Sequence, residues 1–173
     1  LLAKLDMKEN DETGYMSCST GNTCSYVVGA GLTPTAGTFR SVINYFKGEN
    51  DYRSGVSNTS PISDSCQKNF IIYVTDGLPS VNETGGTGSA TSLMPGVLTR
   101  IDALRALVKN LGGTDYTFNI KTYVLGMAMT EAAKPHIDNM AARGGTAVDG
   151  HAYYADDPAA LTNALNNIFS DIV

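Results

Sequence analysis

An α/β domain with a mostly parallel, doubly wound sheet is predicted by three observations. Helical apolar stripes alternate with strand-like runs from Thr35 to the end of the chain. The run Phe70-Ile71-Ile72-Tyr73-Val74-Thr75 is β-branched and aromatic almost without interruption, as in a strand buried on both faces. The length of 173 residues suits one domain, 1–173, with a single core. Alternation of this kind implies right-handed βαβ crossovers, with helices on both faces of the sheet.

Each element has its own signal. Within residues 1–31, read as irregular, Leu1-Leu2-Ala3-Lys4-Leu5 could finish a strand or helix, while Asp6–Cys24 is polar and rich in Asn, Asp, Ser, Thr and Gly and reads as loop. Cys18 and Cys24 stand six apart within it, close enough to staple the loop as a disulfide, whereas metal knuckles use tighter Cys-x-x-Cys pairs. Cys66 is left to pair outside the chain or to stay free. Phe39, Val42, Ile43 and Phe46 recur at i, i+3, i+4 and i+7, which predicts a helix over Thr35–Lys47 ended by Gly48. Phe70–Thr75 is expected to be the central strand.

Ile101, Leu104, Val108 and Leu111 mark a second helix, with Gly112-Gly113 as its stop. A strand follows at Phe118–Leu125, where Ile120, Thr122 and Val124 alternate with Tyr123 and Leu125. A short helix over Lys134–Arg143 tolerates Pro135 in its first turn and ends at Gly144-Gly145. Ala152–Ala155 is a short strand, with one tyrosine of Tyr153-Tyr154 expected inside and the other exposed. Asp157 then caps a last helix with Pro158 at its first position.

Composition narrows the function. Twelve Lys+Arg against seventeen Asp+Glu give a net charge of −5, with no basic stripe for phosphates or an anionic bilayer. Nucleic acid is therefore an unsuitable partner, and no apolar run approaches the roughly 20 residues of a membrane span. The cysteine usage fits an extracytoplasmic setting. Asn58-Thr59-Ser60 and Asn82-Glu83-Thr84 match the N-glycosylation triplet, a pattern too common to carry weight. His136 and His151 lack Cys or His neighbours at ligand spacing and read as surface residues.

Enzyme signatures fail in turn. No Gly-x-Ser-x-Gly elbow, His-Glu-x-x-His pair or phosphate loop occurs. A phosphatase of the haloacid dehalogenase type would need a nucleophilic Asp two residues before Asp76, where this chain has Val74.

Two short constellations stand at the expected ligand-binding edge of the sheet: Gly31-Leu32-Thr33-Pro34-Thr35-Ala36-Gly37 before a helix, and Val74-Thr75-Asp76-Gly77 after a strand. With Lys121-Thr122-Tyr123-Val124-Leu125-Gly126, Met140-Ala141-Ala142-Arg143-Gly144-Gly145 and Ala152-Tyr153-Tyr154-Ala155-Asp156-Asp157, they resemble the von Willebrand factor A-like domain of the PilY family of type IV pilus tip-associated adhesins. The resemblance covers residues 31–173. It implies a Rossmann-like fold and a binding module that assists pilus assembly and surface attachment, with a protein or surface ligand and other pilus components as partners.

By the same resemblance, Thr33 and Asp76 would ligate Mg²⁺ (or Mn²⁺ or Ca²⁺), with Thr35, Gly77 and Ser80 in supporting positions around the ion. Hard cations take oxygen ligands and leave places for water or a partner's carboxylate. Alternatively, Thr33 or Thr35 only caps the helix and Asp76-Gly77 is only a turn. The family's Asp-x-Ser-x-Ser set is found nowhere in these residues. The expectation is a carboxyl-side part of a domain whose first strand lies in an amino-side segment outside the chain. The competing expectation is a structural spacer whose metal site has lost its ligands.

Overall fold

The computed structural model describes residues 32–173, so the expected Cys18–Cys24 disulfide and the expected loop over residues 1–31 lie outside the described residues. Helix α1 spans Thr35–Lys47 and buries Ala36, Phe39, Ile43 and Phe46. Gly48 closes it in the left-handed conformation, φ 75°, donating its N–H to the last-turn carbonyls. Its start differs from the capping alternative. Pro34 occupies the N-cap position and no side chain caps the first turn, because the Thr35 hydroxyl pairs with Tyr73 instead.

Strands β1 (Phe70–Thr75), β4 (Lys121–Met127) and β5 (Tyr153–Ala155) form a parallel sheet of order β1-β4-β5. Its register runs from Phe70↔Lys121 to Thr75↔Gly126, and from Leu125↔Tyr153 to Met127↔Ala155. The expected central position of Phe70–Thr75 is not met among the described residues. Among the described residues β4 is the middle strand, with Thr122–Gly126 all buried, and β1 is at the edge with Val74 46% exposed. A continuous apolar run reports that both faces of a strand are apolar, not that it has two neighbours.

Between them, helix α2 (Ala90–Arg105) starts at Ser89, whose hydroxyl accepts the Ser92 N–H at 3.2 Å. It ends before the expected stripe does. Leu107–Leu111 is β2 and Thr114–Phe118 is β3, an antiparallel hairpin in register Leu107↔Phe118 to Leu111↔Thr114. Gly112-Gly113 is not a helix stop but the hairpin turn, with successive φ values of 61° and 93° that a two-residue turn of type I′ requires. Leu107 and Leu111, four apart, share a face in a helix and in a strand alike. Val108, expected inside, is 46% exposed. The strand expected over Phe118–Leu125 is accordingly two elements: Phe118 ends β3, and β4 starts at Lys121.

Helix α3 (Lys134–Gly144) carries Pro135 in its first turn and is closed by Gly145 at φ 72°. Helix α4 (Pro158–Ile172) is capped by Asp157, whose carboxylate accepts the Ala160 N–H at 2.8 Å. Helices α1 to α3 cover one sheet face, packing Phe39, Ile101 and Met140 with Ile71, Tyr73 and Val124. Helix α4 covers the other, setting Ala164 and Ile168 against Tyr123 and Leu125. Neighbouring residues of β1 and β4 thus serve opposite layers, as strand alternation demands. Tyr153 and Tyr154 divide likewise, and both pack, one in each layer, instead of leaving one ring exposed.

Candidate binding site at the carboxyl edge

The end of β1 is shaped by one threonine. Thr75 is buried; its hydroxyl donates to the Gly77 carbonyl at 2.7 Å and accepts the Gly77 N–H at 3.2 Å. This local turn leaves Asp76 exposed beyond the strand and directs Gly77 toward the start of α1. A Cβ on Gly77 would stand 3.5 Å from the Thr33 hydroxyl.

Two hydrogen bonds then join the segments that flank this turn. The Thr33 N–H donates to the Ser80 hydroxyl at 2.7 Å, and the Ser80 N–H donates to the Thr33 carbonyl at 3.1 Å. Thr33, Gly77 and Ser80 are therefore brought together, with Asp76 beside them in the chain. Thr35 is not in that group. It is 1% exposed, and its hydroxyl lies 3.1 Å from the Tyr73 phenol oxygen, under the Phe39–Tyr73 ring pair.

The loop after the site is held by residues that local sequence patterns do not mark. Val81 and Thr87 form an isolated bridge, and the Asn82 side-chain oxygen accepts the N–H groups of Thr84 and Gly86. The Glu83 carboxylate receives Arg40 of α1 at 3.1 Å and Arg100 of α2 at 2.8 Å, the latter also through its Nε. The Arg100 hydrogen bonds hold the Glu83 carboxyl below its ordinary range, against the opposing effect of burial. Tyr52 donates to the Glu83 carbonyl at 3.3 Å, and the Arg40 guanidinium lies 4.2 Å from the centre of the Tyr52 ring. No motif announces this assembly, because its partners are 43, 31 and 17 residues away in sequence.

A cleft of about 360 Å³ opens beside Glu83, lined by Ala36, Ser92, Leu93 and Gly96 among others. The opposite, amino-side end of the sheet has a cleft of about 340 Å³, lined in part by Cys66, Lys68, Lys121 and Asp171. Cys66 carries an exposed free thiol there, separated from Asp76 by the length of β1. His151 is exposed and pairs with Asp138 at 3.1 Å. Asp138 also accepts the Ala152 N–H and the Tyr154 hydroxyl, and these bonds outweigh burial in lowering its pKa. His136 is half-buried on α3.

Among the described residues no three His, Cys, Asp or Glu side chains gather as a metal cluster. The edge offers two oxygen types suited to a hard cation, the Thr33 hydroxyl and the Asp76 carboxylate. An octahedral ion takes six ligands, so water, backbone or another segment would supply the rest. Thr35 is committed elsewhere, to Tyr73. Among the described residues no helix is long and apolar enough to cross a membrane.

No protein-family model, no curated protein and no solved structure matches the chain. The functional reading therefore rests on the residues and their arrangement.

Proposed function

We propose that the carboxyl edge around Thr33, Asp76 and Ser80 is the partner-binding surface of an extracytoplasmic, non-enzymatic adhesion module. On this reading the domain is of the von Willebrand factor A type, within a PilY-like type IV pilus tip-associated protein. It assists pilus assembly and attachment to a protein or surface ligand. The observation that supports it is the reciprocal Thr33–Ser80 pairing, which fixes the pre-helix hydroxyl beside the turn that exposes Asp76. A divalent ion held there would present an open coordination position to a partner's carboxylate.

A structural spacer is the second reading. It is favoured by the Thr35 hydroxyl, which is held by Tyr73. Thermal unfolding of the full-length protein, titrated separately with Mg²⁺, Mn²⁺ and Ca²⁺, separates the two. An ion bound to the native state at a hundred times its dissociation constant stabilises by about 2.7 kcal/mol. The adhesion reading expects a rise in melting temperature that Asp76→Ala removes. An unchanged melting temperature with all three ions supports the spacer.

A further inference from the structure

We infer that Asn82 is an N-glycan acceptor, presented by the folded loop between β1 and α2, and that Asn58 is not. The inference goes beyond the adhesion reading and shares with it only the extracytoplasmic setting.

Asn58-Thr59-Ser60 and Asn82-Glu83-Thr84 are equivalent as acceptor triplets, and the fold separates them. Asn58 is half-buried, and its Nδ2 donates to the Glu49 carbonyl at 2.8 Å. The Ser60 hydroxyl donates to the Phe46 carbonyl and accepts the Ile62 N–H at 3.1 Å. Both reacting groups of that triplet are therefore tied to the end of α1 and the turn after it.

The second triplet has the opposite arrangement. The Gly88 N–H donates to the Ser80 carbonyl at 3.1 Å, and Val81 bridges to Thr87, which closes the base of the loop. Asn82 and Thr84 are exposed upon it. Between them, the Glu83 side chain is only 18% exposed and is anchored by Arg40 and Arg100. The triplet is thus held from below by its middle residue, and its first and third side chains face solvent.

The Asn82 Oδ1 accepts three hydrogen bonds: from the Thr84 hydroxyl at 2.9 Å, the Thr84 N–H at 3.0 Å and the Gly86 N–H at 2.8 Å. A carboxamide nitrogen becomes nucleophilic as it loses a proton, and negative charge then builds on its oxygen. Donors already placed on that oxygen stabilise this charge. A Cβ on Gly86 would stand 2.9 Å from Asn82 Nδ2, so the glycine keeps the reacting nitrogen clear.

The co-substrate is an oligosaccharide activated on a polyprenyl pyrophosphate. Asn82 Nδ2 bonds to the anomeric carbon, the bond from that carbon to the pyrophosphate oxygen breaks, and the pyrophosphate leaves with the electron pair. The Nδ2 proton passes to a base of the transferase. The product is a bulky, solvated group at the mouth of the cleft that Asn82 and Thr84 line with Ala36 and Gly96.

The test uses the full-length protein, folded throughout, and an oligosaccharyltransferase that modifies short synthetic peptides of both triplets. Glycopeptides are mapped by mass spectrometry. Asn82 is expected to carry the glycan and Asn58 to remain bare. Thr84→Ala is expected to abolish the modification and Thr84→Ser to retain it. Gly86→Ala leaves the triplet intact but crowds Nδ2, and is expected to lower occupancy severalfold. Equal modification of Asn58, or of neither asparagine while both peptides react, would overturn the inference. So would a Gly86→Ala protein modified as fully as the wild type.

Discussion

Thr33 and Ser80, 47 residues apart, hold each other by two hydrogen bonds: amide to hydroxyl at 2.7 Å and amide to carbonyl at 3.1 Å. Removing the hydroxyl leaves the Thr33 N–H without its acceptor while the second bond survives. Ser80→Ala is therefore expected to lower stability by about 1–3 kcal/mol, the cost of an unsatisfied buried donor, with water access moving it toward the lower end. Equilibrium urea unfolding at unchanged slope checks this, and a loss below about 0.3 kcal/mol would show that the pairing does not hold the edge.

Glu83 makes the stability of the loop dependent on acid. Its carboxyl is held below the ordinary value of 4.5 by the hydrogen bonds of Arg100 and Arg40. A group with a depressed folded pKa contributes its stability above the unfolded pKa and loses it as pH falls through the folded one. Melting temperature should fall as pH is lowered from about 5 to 3, near and below the carboxylate range. In Glu83→Gln that fall should be shallower, with the protein less stable at neutral pH. Parallel slopes for the two proteins would remove Glu83 from this account.

Helix α3 touches the sheet through a glycine. A Cβ on Gly144 would overlap the Thr122 carbonyl of β4, a backbone atom that cannot swing aside. The Thr146 hydroxyl donates to that same carbonyl at 2.6 Å, which fixes the contact. Gly144→Ala is expected to destabilise by about 1–3 kcal/mol, against the small gain that alanine gives in an exposed helix. A variant as stable as the wild type would mean that helix and sheet separate at little cost.

The neighbouring Thr122 hydroxyl is buried and has no hydrogen-bond partner among the described residues. A hydroxyl in that state costs about 1–3 kcal/mol relative to a group that needs none. Thr122→Val retains the branched shape, so it is expected to raise stability by about 1 kcal/mol. Chemical denaturation gives the sign directly, and a clear loss would indicate an ordered water bonded to Thr122.

The turn that the sequence marks as a helix stop is also testable. Gly112 and Gly113 both have positive φ with open space around their Cα atoms, so strain alone resists a side chain there. Gly113→Ala should cost about 1 kcal/mol or more, while Gly112→Asn should cost little, since asparagine enters the left-handed region readily. Equal costs in thermal unfolding would argue against a turn of this type.

Local pattern alone determined α1, the span of β1, and the caps of the last two helices, because each is written in neighbouring residues. The apolar spacing of Phe39, Ile43 and Phe46 and the turn residues Gly48, Gly145 and Asp157-Pro158 act within one or two helical turns. Thr33 and Asp76 are paired only by the family resemblance, although each adjoins an element whose end is visible in the sequence.

Tertiary structure decided what depends on distant neighbours. Leu107 and Leu111 satisfy the period of a helix and of a strand equally, and only the positive φ at Gly112 and Gly113 turns them into a hairpin. Which strand is central depends on pairing, and among the described residues only β4 has strands on both its sides. The same is true at the edge. Thr33 and Thr35 are alike in sequence, but packing buries Thr35 against Tyr73 and leaves Thr33 beside Gly77 and Ser80. A hydroxyl's role is set by the nearest partner the fold supplies, and that partner is here tens of residues away.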